Sequence, residues 1–376
     1  AGGYMVDIVK VTTNREIKKF VKFVNDLYKD NEYYVPDLVF DEVNTLRADK
    51  NPAFEFSEGE FYLAYRGKEI VGRIGVLVNH KVNEKYNEKN ARFTHFDFID
   101  DFEVSSKLME AAVNWAKEHG YEKIHGPLGL TDLDHQGLLI EGYDELDLFI
   151  TIYNAPYYID HIEKLGFVKD VEWVEYQIDV PKEPIKKYDR IAEIVKKRNG
   201  YKLLEFTKKK DILPWAPKIF EVYNEAYAPI FGTTVLTDAQ IKMYIDAFFG
   251  FVNPHFIKII LNKDDEIIGF GVTMPSLSKA MQKAKGKLLP FGFIHILRAI
   301  KKSDMLDMYL VAIHPDYQGT GAAALMINSV LNAAIRHKMT IAETGPELET
   351  NTAVQKMWKY FDHRIHRRRR VYIKDI

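Results

Sequence analysis

Within the 376 residues, the stretch best equipped for chemistry is Gln318-Gly319-Thr320-Gly321-Ala322-Ala323. Two glycines and two alanines leave its backbone bare, so amide N–H groups can turn toward an anion. The apolar run Tyr309 to Ile313 precedes it at strand length and is closed by His314-Pro315, because proline has no donor with which to continue a ladder. Behind it Leu325, Met326, Ser329, Val330, Leu331 and Ala334 recur at helical spacing. Strand, bare loop and helix start together make a phosphate cradle, with unpaired N–H groups and the positive end of the helix dipole facing one ligand. The loop lacks the Gly-Lys-Ser/Thr ending of a nucleoside triphosphatase, and its two glycines are too few and misplaced for a dinucleotide fingerprint.

The elements around this loop occur twice. Phe61 to Val76 reads as a β-hairpin, and Phe256 to Val272 reads as the same hairpin, with Gly72 matching Gly269 at 269 − 72 = 197. Asn154 matches Asn351 (351 − 154 = 197), Tyr176 matches Tyr372 and Asp179 matches Asp375 (both 196), and the pair Gly126-Pro127 recurs as Gly345-Pro346. The chain is therefore read as an internal duplication, with domains at 4–183 and 184–376 and the lysine-rich stretch 181–199 as the linker.

Gln318, Gly321 and Ala323 meet the pattern Gln/Arg-x-x-Gly-x-Gly/Ala, and in this the loop resembles the acyl-CoA loop of the GCN5-related N-acetyltransferase (GNAT) superfamily. The resemblance covers nearly the whole chain, since Glu163-Lys164-Leu165-Gly166-Phe167 is similar to the helix ending of that superfamily. It implies an α/β (α+β) fold of two acyl-CoA N-acyltransferase-like domains, each a mixed, mostly antiparallel sheet flanked by helices. It further implies that acetyl-CoA or another acyl-CoA is the cosubstrate. Its diphosphate would lie on Gln318, Gly319, Thr320, Gly321, Ala322 and Ala323. Val311 and Ile313 would bond the pantetheine arm, with an oxyanion N–H near Val311, and Asn351 would stand beside the arm.

The acid and base are where the chain departs from the pattern. Seven residues after the asparagine the superfamily often has a tyrosine; here the position is Trp358, whose indole cannot protonate a thiolate. Tyr360 lies two residues on, about 200° around the helix. That leaves Tyr309 as the candidate acid. Glu343 and Asp307 are the candidate bases, because superfamily bases are placed on these two strands. Glu347 and Glu349 are read as charges favouring the start of the next helix.

Counting 28 residues back from each Gly-Pro proline sets Gln318 opposite Ile99 (346 − 318 = 28; 127 − 99 = 28). The first half thus has Asp100, Asp101 and Glu103 where a diphosphate would sit, and it is expected not to hold CoA in the usual way. Its insertion 128–153 carries Asp132, Asp134, His135, Glu141, Asp144 and Glu145, whose spacing matches no established metal motif; no metal is expected. The aromatic stretch 153–158 is read as core packing. The apolar insertion 275–303 of the second half is read as packing between the halves. Arg367 to Arg370 are read as a basic final strand near the acidic 100–103 stretch, and nucleic acid is not expected as a partner.

Hydrophobic residues at 47% and a net charge of −2 fit a soluble chain with room for two cores. The absence of cysteine excludes disulfides and thiolate catalysis and fits a cytoplasmic location. No apolar run approaches the span of a bilayer. Ala1-Gly2-Gly3 reads as a cloning remnant. The expected function is acyl-CoA-dependent N-acyl transfer, in its simplest form N-acetyl transfer, to a small-molecule or peptide amine. The rivals are a non-catalytic acyl-CoA-binding or interaction protein and an aminoacyl or lipid-acyl transferase on the same fold.

Overall fold

The computed structural model describes residues 4–228 and 230–376, so Ala1-Gly2-Gly3 lies outside the described residues. Two compact units are present. Unit 1 takes residues 4–174 with Met281–Phe293 and Arg367–Ile376; unit 2 takes Glu175–Ala280 and Ile294–His366.

The strands of unit 1 are β1 (Val6–Lys10), β2 (Ser57–Arg66), β3 (Glu69–Asn79), β4 (Asn90–Phe98), β5 (Lys123–Gly126), β6 (Leu138–Glu141) and the first part of β7 (Val168–Asp179). They are accompanied by α1 (Asn14–Leu27), α2 (Val39–Leu46), α3 (His80–Tyr86), α4 (Phe102–Glu118) and α5 (Tyr157–Lys164). β1 to β4 pair antiparallel in chain order, and β4 pairs parallel with β5. The core is rich in aromatic residues, among them Phe93, Phe98, Tyr158 and Phe167, packed on Leu108 and Ala112 of α4. Gly72 of β3 permits that packing, since a Cβ there would stand 2.6 Å from Leu108.

Unit 2 repeats the plan with α6 (Lys186–Asn199), β8 (Lys202–Glu205), α7 (Ala216–Tyr227), α8 (Asp238–Phe248), β9 (Ile257–Leu261), β10 (Ile267–Pro275), α9 (Ser278–Ala284), α10 (Gly292–Lys301), β11 (Met305–Ile313), α11 (Ala322–Arg336), β12 (Ile341–Thr344), β13 (Glu347–Leu348), α12 (Thr352–Trp358) and β14 (His363–Asp375). Only part of α9, α10 and β14 belongs to unit 2. β8, β9, β10 and β11 are antiparallel, and β11 pairs parallel with β12. Each unit is thus a mixed, mostly antiparallel sheet flanked by helices, and both hairpins read from the sequence are present.

The closing strands depart from a division at 183/184. Residues 372–375 of β14 pair with β5 in unit 1, whereas residues 177–179 of β7 pair with β12 in unit 2. A cut between Glu183 and Pro184 would strip each sheet of the strand that satisfies its edge N–H and C=O groups. The units are discontinuous in sequence for that reason.

In both units the parallel pair splays open. β11 keeps its partner from Met305 to Met308, and Gly345 N donates to Met308 O at 3.2 Å. Beyond that point, among the described residues, Leu310 to Ile313 pair with β10 alone, and a register shift between Val272 and Thr273 leaves Tyr309 as the extra residue of a bulge. A bulge re-aims the side chain it carries. In unit 1 β4 leaves β5 after Arg92, and its register with β3 shifts between Arg73 and Gly75.

Candidate functional site

The loop after β11 has the backbone that a phosphate cradle needs. Gly319 and Gly321 both adopt left-handed conformations (φ 79° and 90°), and Gly321 caps α11. Leu325 N already returns to Gly321 O (3.1 Å), which leaves the amides of Ala322, Ala323 and Ala324 as the first-turn donors without an intrahelical acceptor. The loop is pinned from below: Tyr201 donates its hydroxyl to Thr320 Oγ1 (2.8 Å), Thr320 Oγ1 donates to Tyr317 O (2.6 Å), and Asn199 Nδ2 donates to Thr320 O (3.2 Å). A Cβ at Gly321 would meet Val195 of α6 at 2.6 Å, so the second glycine is required by space as well as by φ. Gln318 and Gly319 are exposed, and Leu325, Met326, Ser329, Val330, Leu331 and Ala334 form the buried face of α11 as the spacing requires.

Val311 and Ile313 lie on the splayed segment of β11, where one backbone edge faces away from β10. Asn351 precedes α12, and its side chain does not cap that helix.

The three candidate catalytic residues come together. Asp307 and Glu343 are register partners across the parallel pair, both buried. Tyr309 follows in the bulge, its hydroxyl sealed from solvent. Burial pushes that hydroxyl well above its usual range, and the Asp307 and Glu343 carboxylates add to the shift. Glu343 also has Gln177 Nε2 at 3.5 Å and His366 Nδ1 at 3.8 Å. A protonated phenol beside two carboxylates can donate a proton, and the carboxylates can receive one.

One expectation near this site needs correction. Glu347 is no helix-start charge: it lies in β13, where its Oε1 accepts the Trp358 indole N–H at 2.8 Å. Burial, with the charge of Glu175 adding, pushes its carboxyl up to about 8 despite that bond. Trp358 is buried and committed to Glu347, while Tyr360 is 73% exposed. No sequence signal marks Glu347, because its environment is made by β7 and α12, which are distant in the chain.

In unit 1 the equivalent helix start is already filled. Asp101 caps α4 by accepting Glu103 N (3.0 Å), and Arg66 binds Asp101 (2.8 Å) and Glu103 (3.1 Å). The final arginines bond to groups outside this acidic stretch. Arg367 and Arg369 are buried: Arg369 Nη2 lies 3.5 Å from Asp147 and donates to Thr151 Oγ1 (2.9 Å), Arg367 donates to Leu146 O, and Arg370 pairs with Glu172 at 2.5 Å. They anchor the insertion 128–153 from within. Asp134 accepts Leu130 N and Thr131 N, and Asp132 accepts Gln136 Nε2, so both build turns. Among the described residues no group of three His, Asp or Glu could hold a metal. Leu289, Phe291 and Phe293 of the apolar insertion are 74%, 68% and 40% exposed, so these side chains are not the packing element expected of them. No helix among the described residues is long and apolar enough to cross a membrane.

Comparison with known proteins agrees with this geometry. Residues 217–362, which contain the cradle and the three candidate catalytic residues, match the model of the acetyltransferase (GNAT) family. The chain is 28% identical to protein YghO of Escherichia coli K12 over 98% of its length and 95% of that protein. It is 24% identical to a bacterial ceramide synthase of Caulobacter vibrioides over 79% of its length and 77% of that protein. A tandem GNAT protein from the clavulanic acid biosynthesis pathway superposes with a TM-score of 0.55 at 12% identity, covering 98% of both chains. With the cradle in unit 2 and its filled counterpart in unit 1, the chain has the tandem GNAT fold, and its residues 217–362 are similar to the acetyltransferase (GNAT) family.

Proposed function

We propose that unit 2 transfers an acyl group from acetyl-CoA or a longer acyl-CoA to an amine of a small molecule or peptide. The observation that carries this is the left-handed Gly319/Gly321 loop opening α11 directly after the splayed end of β11. The loop amides and the helix start take the diphosphate. The free edge of Tyr309 to Ile313 takes the pantetheine arm, with a backbone N–H near Val311 for the oxyanion. Asn351 flanks the arm.

The amine nitrogen attacks the thioester carbonyl carbon; the C–N bond forms as the carbonyl oxygen takes negative charge. The C–S bond then breaks and CoA leaves as a thiolate. One proton must leave the nitrogen and one must reach the sulfur. Asp307, Glu343 and Glu347 are the candidate acceptors, and Glu347, with its carboxyl near 8, is the strongest base of the three by environment. Tyr309 is the donor. The test is release of free CoA thiol from acetyl-CoA with a panel of amines. Turnover above background for at least one amine, reduced in Tyr309→Phe, is expected; thioester binding without turnover would favour a non-catalytic acyl-CoA-binding protein.

A lipid-acyl version of the same reaction is favoured by one specific feature. Between Glu266 and Asp304 the chain has no acidic residue but carries Lys279, Lys283, Lys285, Lys287, Arg298, Lys301 and Lys302 around the exposed Leu289, Phe291 and Phe293. An exposed apolar segment framed by cations suits a long acyl chain or an anionic lipid surface. The relative named a ceramide synthase supports it. Turnover that rises from acetyl-CoA to long-chain acyl-CoA would support this version, and acetyl-CoA as the better donor would remove it.

A further inference from the structure

Unit 1, whose equivalent helix start is filled by Asp101, holds a cavity that is partly open to solvent. Its lining comes from the splayed segment of β4, from α1, the stretch before α2, and the insertion that the arginines hold in place. Val21, Val24, Val35, Phe96, Leu138 and Ile152 supply apolar walls. Against them stand Asp37, Glu42, Arg73, His95, Asp97 and His135.

Most of these charges are already spoken for. Arg73 binds Asp97 (2.8 Å) and the backbone oxygens of Phe20 and Val21, and Tyr158 donates to Asp97 (2.8 Å). His95 holds a left-handed backbone, φ 48°, within β4, a strained conformation for a residue with a Cβ. Its imidazole is held at both ends: Nε2 lies 2.5 Å from Glu42 Oε1, and Nδ1 lies 2.8 Å from the Thr94 hydroxyl. The nearest charge partner of Asp37 is His135 Nε2, at 3.4 Å. Arg73 is thus bonded to Asp97, and the groups nearest to Glu42 and Asp37 are the imidazoles of His95 and His135.

We infer that this cavity is a second ligand site, built for an amine on an apolar chain, with the ammonium seated between Asp37 and Glu42 and the chain along the valine, phenylalanine and leucine wall. An anionic ligand is opposed by the charge of Glu42. The charge state of Asp37 agrees: burial raises its carboxyl well above its usual range, the charges of Glu42 and Asp41 add to this, and Arg73 opposes it. Glu42, which burial alone would raise, is brought down to about 2 by its bond to His95, with His135 and Arg73 assisting. An ammonium beside Asp37 favours its ionised form and so draws its proton toward solvent. The inference is separable from acyl transfer, since no thioester enters its test.

The experiment is calorimetric titration of n-octylamine, n-octanol and octanoate into the full chain, in two buffers of different ionisation enthalpy. Octylamine is expected to bind one per chain with proton release, octanoate not to bind, and octanol to bind at least tenfold more weakly. Asp37→Asn should abolish the proton release and weaken octylamine at least tenfold; Leu138→Trp, which fills the apolar end, should weaken it without changing the proton count. Octanoate binding as tightly as octylamine, an unaltered Asp37→Asn, or no octylamine binding to the wild type would each overturn the inference. Unchanged circular dichroism of both variants keeps a folding defect from being read as a lost site.

Discussion

Glu347→Gln isolates one proton and gives a worked pH dependence. The folded carboxyl is pushed up to about 8, from 4.5 in the unperturbed group. The folded chain therefore keeps a proton that the unfolded chain gives up, so this group's stabilising contribution is complete below the unfolded value and is lost as pH rises toward the folded one. The loss runs at about 1.4 kcal/mol per pH unit over that window, or roughly 2 to 3 kcal/mol between about pH 5 and pH 7. Glutamine keeps an oxygen for the Trp358 indole but cannot ionise. Urea unfolding of wild type and variant at closely spaced pH values reads the difference directly. The two should lie within about 1 kcal/mol of each other near pH 5, the variant then gaining steadily until about pH 8 and levelling beyond. A difference that stays flat across the range refutes the assignment of Glu347 as a buried, proton-retaining carboxyl.

Other perturbations follow from the same geometry. If Glu347 is the base, kcat/KM rises with pH through about 8 and that limb disappears in Glu347→Gln, while Tyr309→Phe lowers kcat by about a hundredfold or more. Gly321→Ala forces a Cβ to 2.6 Å from Val195 at φ 90°, and should cost about 1 to 3 kcal/mol in chemical unfolding, with Val195→Ala recovering part of it. Arg369→Met removes the ion-pair partner of Asp147, which is 2% exposed, and should cost about 3 to 5 kcal/mol. Arg368→Met, whose pair with Glu141 is open to solvent, should change thermal stability by less than about 1 kcal/mol.

What could be read from the sequence was local. Gly319 and Gly321 announce left-handed backbone because few other residues take it freely, and the buried face of α11 follows from its spacing. Asp307, Tyr309 and Glu343 were found by resemblance, which fixes strands but not the surroundings of side chains. The exchange of closing strands was illegible for a definite reason. Tyr176 and Tyr372, and Asp179 and Asp375, are equivalent in the repeat, so the pattern alone fits either strand to either sheet. Arg367 and Arg369 looked like surface charge because arginine seldom lies inside; the carbonyls of Leu146 and Ile152, the Thr151 hydroxyl and the Asp147 carboxylate, more than two hundred residues earlier, make their burial tolerable. The cavity of unit 1 was hidden likewise, its lining being drawn from stretches between Val21 and Tyr158 that no single motif joins.

The most direct test of the account is calorimetric titration of acetyl-CoA and a long-chain acyl-CoA into the wild type and Gly319→Asp. Gly319 has φ 79° and open space where a Cβ would go, and aspartate tolerates that conformation, so the variant adds a carboxylate to the cradle with little strain. One thioester bound per wild-type chain, lost in Gly319→Asp with unfolding unchanged, is the predicted result. No binding to the wild type, or equal binding to both, would contradict the claim that unit 2 is an acyl-CoA site.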